Sequence, residues 1–420
     1  MELKEEIKLY QQLRFEQDGR VKEPFDTLSE ENLYLLLSVL KKEEKHPNEP
    51  NALKEIISQS VFGELSYPVT NIDDRIKGAI VGRFAGCLLG VPVEGYSIER
   101  MEKLAQEYGT PFPAIEYWHK VDREDWIQYG VDIRGNYTLN KINAVFVDDD
   151  ITYTVLNLEL LDKYGAKYTV NDVAKLWLEK LPYGCTAEEM ALANLHNGVK
   201  PEEVANDNPF VEWIGGAIRA DAFGYTFAGR PHLAAISSYS DAFLTHRRNG
   251  IYGEMYLAAA ISLSFVMHPF EALKKAMDYI PSKSRLHQAL EWAFSKVNDV
   301  KDFKQARSLI DEKFPGMDSV HTINNMCVLV FASKLGQESY TSAVSTCVAM
   351  GLDNDCTGAS IGSMFGAYYG LSNIEDKWYK CFNNTVHTYL IGEPVIPLDS
   401  LFDLTIKLYN KNKKTKKQNL

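Results

Sequence analysis

Asp148, Asp149 and Asp150 stand consecutively before a segment of helical spacing that begins near Ile151. One aspartate at a helix start is ordinarily an N-cap or a partner of the helix dipole. Three in a row exceed what capping needs. Two carboxylates about 4 Å apart repel by roughly 4 kcal/mol at an effective dielectric near 20, so a folded cluster requires a cation or a raised pKa. Asp353 and Asp355, in GLDNDCTG, form a second cluster at another predicted helix start. The D-x-D spacing lets both carboxylates turn toward one ion, and oxygen-only ligation points to Mg²⁺ or Mn²⁺ rather than zinc. An EF-hand is excluded, because its 12-residue loop with a closing Glu is absent. The DDxxD pattern of isoprenoid synthases needs an acid where the chain has Thr152 and Tyr153, and no His-Asp dipeptide supports an HD-type phosphohydrolase.

The elements that must carry these carboxylates show in the glycines. Gly78, Gly82, Gly86 and Gly90 recur every four residues in one segment, and Gly358, Gly362, Gly366 and Gly370 do so in another. Each set lies on one helix face. A glycine inside a helix costs roughly 1 kcal/mol relative to alanine, so four on one face imply a close approach of helices. Glu94 follows the first stripe, and Asp353 and Asp355 precede the second, which predicts that the stripes bring the acids together. The segments 151–165, 170–181, 254–267 and 342–350 also have helical spacing or composition, while strand-like alternation is scarce. The predicted class is all-α.

Residues 1–70 read as an appendage of two or three polar amphipathic helices with a turn at HPNEPN (46–51) and no evident chemistry. Residues 71–400 form the predicted catalytic domain, and the basic run 409–420 reads as a disordered tail. Of 420 residues, 57 are acidic and 45 basic, which argues against a polyanion-binding surface and hence against nucleic acid. No secretory signal is visible, no apolar run reads as a membrane span, and the six cysteines lack zinc-type spacing. The expectation is a cytoplasmic, reduced protein away from membranes.

The ordered series GRFAGCLLGVPVEG, VDDDITYTVLNLELL, HRRNGIYGEMYLAAA and GLDNDCTGASIGSMFGAYYG resembles the ADP-ribosylglycohydrolases, which include the dinitrogenase-reductase-activating glycohydrolases. The resemblance covers roughly residues 73 to 395. It implies an orthogonal helical bundle around two divalent cations, Mg²⁺ or Mn²⁺, that cleaves the C1'' bond of ADP-ribose attached to a protein side chain or small leaving group. By motif, Asp149 and Asp150 match the family's first aspartate pair and Asp353 and Asp355 its second, while Glu94 matches the acid near the scissile bond. The family's Thr-Asp-Asp-Thr is here flanked by Asp148 and Ile151, and Asn354 and Cys356 replace the threonines of Asp-Thr-Asp-Thr. The implied metal set is therefore Asp148, Asp149, Asp150, Asp353, Asp355 and the Cys356 position. Glu94 is the expected catalytic carboxylate, with Asp149 or Asp355 sharing base duty. These departures mark a divergent branch.

On the substrate side, NGIYGE (249–254) opens a helix with two glycines whose free N–H groups suit a pyrophosphate. In the family reading His246 and Gly250 lie at the phosphate position, with Asn249, Tyr252 and Gly253 completing the expected substrate-binding set. The bland reading is a surface loop with a basic pair, Arg247 and Arg248. Among Glu212, Arg219 and Asp221, the last two read as a structural ion pair. Trp118, Trp126 and Tyr129 are candidates to stack on adenine, against the more ordinary reading as core. His321 and Asn325 sit at a predicted helix start, where a satisfied core histidine is the simpler account. Two rival functions share these motifs: a metallohydrolase of free nucleotides or ADP-ribose derivatives, and a non-catalytic crystallin-like relative, which the five aspartates disfavour.

Overall fold

The two glycine stripes meet face to face. In the computed structural model, which describes residues 2–42, 46–122, 127–128, 131–132 and 136–413, Ile72–Gly90 and Asn354–Tyr369 are antiparallel helices in backbone contact. A Cβ built on Gly78, Gly82 or Gly86 would lie closer than 3.0 Å to the carbonyl oxygen of Gly366, Gly362 or Gly358 respectively. No side chain fits between them. That is the need the stripes anticipate, and it sets the C-terminal end of one helix beside the N-terminal end of the other.

The first of these helices corrects one expectation. Ile72–Val93 is long and apolar enough, by length and composition, to cross a membrane, although 94% of its apolar window is buried inside the fold. It is a core helix here. A second core helix, Asn249–Ser264, is buried along all 16 of its residues. A helix apolar all round belongs at the centre of a large body, and this one packs between Pro231–Thr245, Pro269–Ala276 and the second glycine helix.

The segments with helical spacing fold as expected, into Asp149–Tyr164, Val170–Lys180, the helix 249–264 and Tyr340–Ala349. Among the described residues the only strands are two short antiparallel pairs, Ile127–Gln128 with Val131–Asp132 and Thr385–His387 with Val395–Pro397. The protein is all-α.

Leu3–Asp18, Glu30–Leu40 and Leu53–Ser58 are the helices of the appendage. The first two enclose a small apolar cluster of Ile7, Tyr10, Leu13, Phe25, Leu33, Leu37 and Leu40, which is completed by Ala205 and Val211 of the body. The appendage is docked rather than free. At the other end, Leu398–Asn412 is a helix that buries Leu401, Phe402, Leu408 and Asn412, and the Asn412 carbonyl accepts from Arg230. The body thus extends past residue 400 and takes up the first residues of the basic run, while 414–420 lie outside the described residues.

Candidate active site

The aspartate helix begins with a cap. Asp148 is the N-cap of Asp149–Tyr164, and its Oδ1 accepts from the Asp150 N–H at 3.0 Å. Asp150 is fully buried and bonded through Oδ1 to Arg83, at 2.8 Å. Arg83 rises from the first glycine helix, is itself wholly buried, and pairs at 2.7 Å with Asp221. The expected Arg219–Asp221 pair is therefore corrected. Arg219 instead binds Asp241 at 2.6 Å and Glu188 at 2.5 Å.

At the second cluster the chain enters the glycine helix through Leu352, held at φ 65°, a conformation costly for a branched side chain. Three bonds fix this turn. The Asn325 Oδ1 accepts from the Asp353 N–H at 3.3 Å, and the buried Asn354 amide donates to the Val93 and Val348 carbonyls at 3.4 and 3.2 Å. Asn354 thus faces inward and ties the Asp353–Asp355 loop to the segment that carries Glu94.

The contact of the glycine helices, the cap and this tie assemble three overlapping groups. Cys87, Asp148 and Asp150 form one, Asp150, Asp355 and Cys356 a second, and Glu94, Asp353 and Asp355 a third; within each, the ligand atoms lie within 4.8 Å of one another. Glu94 converges with the second aspartate cluster, as the stripes predict. Asp355 belongs to two groups and Asp150 joins them to the third. Asp149 lies outside all three groups, its carboxylate on the wall of the adjoining cleft. Ile151 is core.

Burial and mutual repulsion dominate the electrostatics. Burial lifts the Asp148 carboxyl well above the ordinary range, and Asp149, Asp355 and Asp150 add to the rise. Asp150 is lifted by burial against the pull of Arg83, and Asp353 by burial and then Asp355. Burial likewise pushes the thiols of Cys87 and Cys356 up, so both stay protonated near neutral pH. The Cys87 thiol lies within 4.8 Å of the Asp148 carboxylate.

A divalent cation fits what remains. Asp150 Oδ2 and Asp353 Oδ1 are buried and have no hydrogen-bond partner among the described residues. Buried acceptors so placed are costly unless a partner is supplied. Carboxylate oxygens are hard ligands, and the two groups that share Asp355 each add a further acid. Cys356 faces these carboxylates as the soft member of its group.

The groups open on a cleft of about 550 Å³, part of it open to solvent. Its lining includes Glu94, Asp149, Asp353, Asp355 and Cys356 of the acidic groups and their surroundings, together with Thr186, Glu188, Trp213, Ile214 and Gly215. Glu188 carries no sequence signature, yet burial pushes its carboxyl up to about 7 against the pull of Arg219. A Cβ on Gly215 would collide with that carboxylate, so the glycine keeps room for it. Thr186, at φ 42°, is a second strained residue on the wall.

The expected phosphate set lies elsewhere. His246, Asn249, Gly250, Tyr252 and Gly253 are all fully buried and none lines the cleft. His246 accepts from the Gly216 N–H at 3.2 Å and buttresses the cleft loop from behind. Asn249 donates to Glu212 at 3.2 Å and accepts from the Leu286 N–H, while Tyr252 donates to the Pro50 carbonyl. At the start of this helix the anion is the chain's own Glu212, bound by Arg248 and, at 2.6 Å, by Arg285. Burial raises the Glu212 carboxyl, but those two charges outweigh it and hold it well below the usual range. Glu49 and Asn51 of the appendage close the cluster through Arg285 and the Arg248 N–H.

The remaining aromatic and histidine candidates resolve as follows. Trp118 is core, its indole N–H bonded to the Leu89 carbonyl at 3.0 Å; Trp126 and Tyr129 lie outside the described residues. Trp213 is the tryptophan on the cleft. His321 caps its helix, accepting from the Ile323 N–H at 3.1 Å, and burial holds it neutral, but its buried Nε2 has no hydrogen-bond partner among the described residues, so the expected satisfied core histidine is satisfied on one side alone.

The all-helical body thus gathers acids at the facing ends of two glycine helices, beside an open cleft. The chain belongs to the ADP-ribosylglycohydrolase family, whose profile matches residues 68–414. Among solved structures it is similar to an ADP-ribosylglycohydrolase-related protein complex, at 18% identity and a TM-score of 0.52, covering 81% of this chain and 98% of that one. No curated protein matches it.

Proposed function

We propose that the protein hydrolyses the C1'' glycosidic bond of ADP-ribose linked to a protein side chain or small leaving group, with divalent cations at the Asp355-centred groups. The observation that carries this reading is the convergence of Glu94, Asp353 and Asp355 within 4.8 Å at the edge of the cleft. Cations bound there would polarise and orient ribose hydroxyls; Asp150, Asp353 and Asp355 are the residues to hold them, with Asp148 fixing the turn as cap.

Glu94 is half-buried and reaches both solvent and the buried acids. In this reading it takes a proton from a water that bonds to C1'' as the bond from C1'' to the leaving group breaks, and that proton passes on to the leaving group. The transition state has oxocarbenium character, which the carboxylates of Glu94 and Asp149 on the cleft lining offset. Trp213 offers the cleft an aromatic surface for the base.

The test is a panel of ADP-ribosylated proteins and small ADP-ribose derivatives, assayed with Mg²⁺, Mn²⁺ and EDTA. Metal-dependent release of ADP-ribose that disappears in Glu94→Gln is expected. Turnover of free derivatives alone would shift the substrate class, and no release from any member by metal-loaded protein would refute the proposal.

A further inference from the structure

The appendage holds the two segments that carry part of the cleft lining. Trp213, Ile214 and Gly215 lie on one of these segments and Val320 on the other. Backbone bonds join the two. The Ile214 N–H donates to the Val320 carbonyl at 2.9 Å and the Thr322 N–H to the Glu212 carbonyl at 3.1 Å, around a bridge between Trp213 and His321.

The first segment is held through Glu212, the neighbour of Trp213. Its Oε1 accepts from the Gln17 amide at 3.2 Å. Arg285, which binds Glu212, donates to both oxygens of Glu49 at 3.0 Å and to the Glu16 carbonyl at 2.6 Å. The second segment is held through Asp318, whose N–H donates to Glu16 Oε1 at 2.8 Å. From that turn the bonds continue to the acids. Asn325 donates to the Ser319 and His321 carbonyls at 2.7 and 2.9 Å, and its Oδ1 accepts from the Asp353 N–H at 3.3 Å.

Glu16, Gln17, Glu49, Glu212 and Asn325 are all buried, so none of these bonds is exchanged for water without cost. Glu49 and Glu212 face Arg248 and Arg285, and loss of any one leaves a charge without its counterpart. Such a network holds one geometry. Glu16, Gln17 and Glu49 precede residues 68–414, which the family profile matches, so membership of the family gives them no role, and none of the three lines the cleft.

We propose that the appendage is a positioning element for the site. Gln17 and Glu49 set the cleft lining at Trp213 through Glu212, and Glu16 sets the loop that bears Asp353 through Asp318 and Asn325. The inference rests on the cleft and its acids being the site of the function proposed above.

The experiment measures two affinities of the full chain by calorimetry, for Mg²⁺ alone and for ADP-ribose with Mg²⁺ present. Gln17→Leu keeps the volume and removes the donor to Glu212; it should weaken ADP-ribose binding roughly threefold or more, the scale of coupling through such networks, with Mg²⁺ affinity little changed. Glu16→Leu removes the acceptor of the Asp318 N–H and should weaken Mg²⁺ binding by a similar factor, whereas Glu16→Gln keeps an acceptor and should restore it. Gly78→Ala is the control for lost stability and should bind ADP-ribose as wild type does. Equal affinities in wild type, Gln17→Leu and Glu16→Leu, no recovery in Glu16→Gln, or a loss in Gly78→Ala as large as theirs overturns the positioning role. Wild-type protein that binds neither Mg²⁺ nor ADP-ribose instead refutes the proposed function, and this inference with it.

Discussion

Gly86→Ala puts one methyl group where the backbones of two helices touch. Its Cβ would fall closer than 3.0 Å to the Gly358 carbonyl oxygen, an atom that cannot rotate away. Alanine gains up to about 1 kcal/mol in helix propensity, whereas overpacking costs about 1–3 kcal/mol, toward the upper end when backbone must move. The net loss is about 1–2 kcal/mol, or a fall of roughly 2–8 °C on the 2–4 °C per kcal/mol of 150–250-residue domains. Position along the stripe then separates stability from function. Gly86 stands about 6 Å from Gly90 and Gly78 about 18 Å, at 1.5 Å per residue. Metal–ligand distances tolerate only about 0.2 Å, so parting the helices near Gly90 should weaken Mg²⁺ binding at least about tenfold. Gly78→Ala, which meets the Gly366 carbonyl in the same way, should lose similar stability and far less ion affinity. Thermal melts and calorimetric Mg²⁺ titration of both variants are the assay. A Gly86→Ala protein as stable as wild type, with unchanged Mg²⁺ affinity, would refute the reasoning.

Asp355→Asn should cost more Mg²⁺ affinity than Asp149→Ala, because Asp355 belongs to two ligand groups and Asp149 to none; calorimetry that ranks them the other way removes Asp355 from the centre of the site. Cys356→Thr replaces a soft sulfur with a hard hydroxyl and should tighten Mg²⁺ binding, whereas identical affinities would make the thiol a packing group. Burial pushes the Glu16 carboxyl up to about 7, with bonds from Gln12 and Asp318 opposing. The raised folded value means that its contribution is present below about 4.5 and is lost as pH climbs through 7. Glu16→Gln should therefore be near neutral at pH 5 and stabilising at pH 8 in urea melts; an equal effect at both would show that Glu16 does not titrate in this window.

The carboxylates and glycine stripes were legible in the sequence because each is a local pattern with one physical use. Close spacing of acids implies a cation or a proton, and glycines on one face imply contact. Glu188 was not legible, since it sits in no motif and its partner Arg219 is distant in the chain; Arg83 lies within a quoted motif and Asn325 was a candidate, but nothing local names Asp150 or Asp353 as the residue each one holds. The NGIYGE segment shows the limit from the other side. Its sequence displays a helix start suited to an anion, and the structure supplies one, but the anion is Glu212, from a segment the helix signal does not mention. Trp118 took the more ordinary of its two readings, as core: residue type shows what a side chain can do, and only packing shows whether it is reachable.

The pairing of the glycine helices also bears on how the chain is made. The first helix leaves the ribosome roughly 260 residues before its partner, an interval of about 13–53 s at 5–20 residues per second. Throughout that interval an apolar helix as long as a membrane span can set Arg83 against Asp150 and Asp221, but its glycine face cannot be covered by any earlier segment that lacks a matching stripe. The Asp355-centred groups consequently cannot exist until the second glycine helix has been made, so a chain truncated or stalled before residue 354 has no version of them, only an exposed glycine face for chaperones to hold.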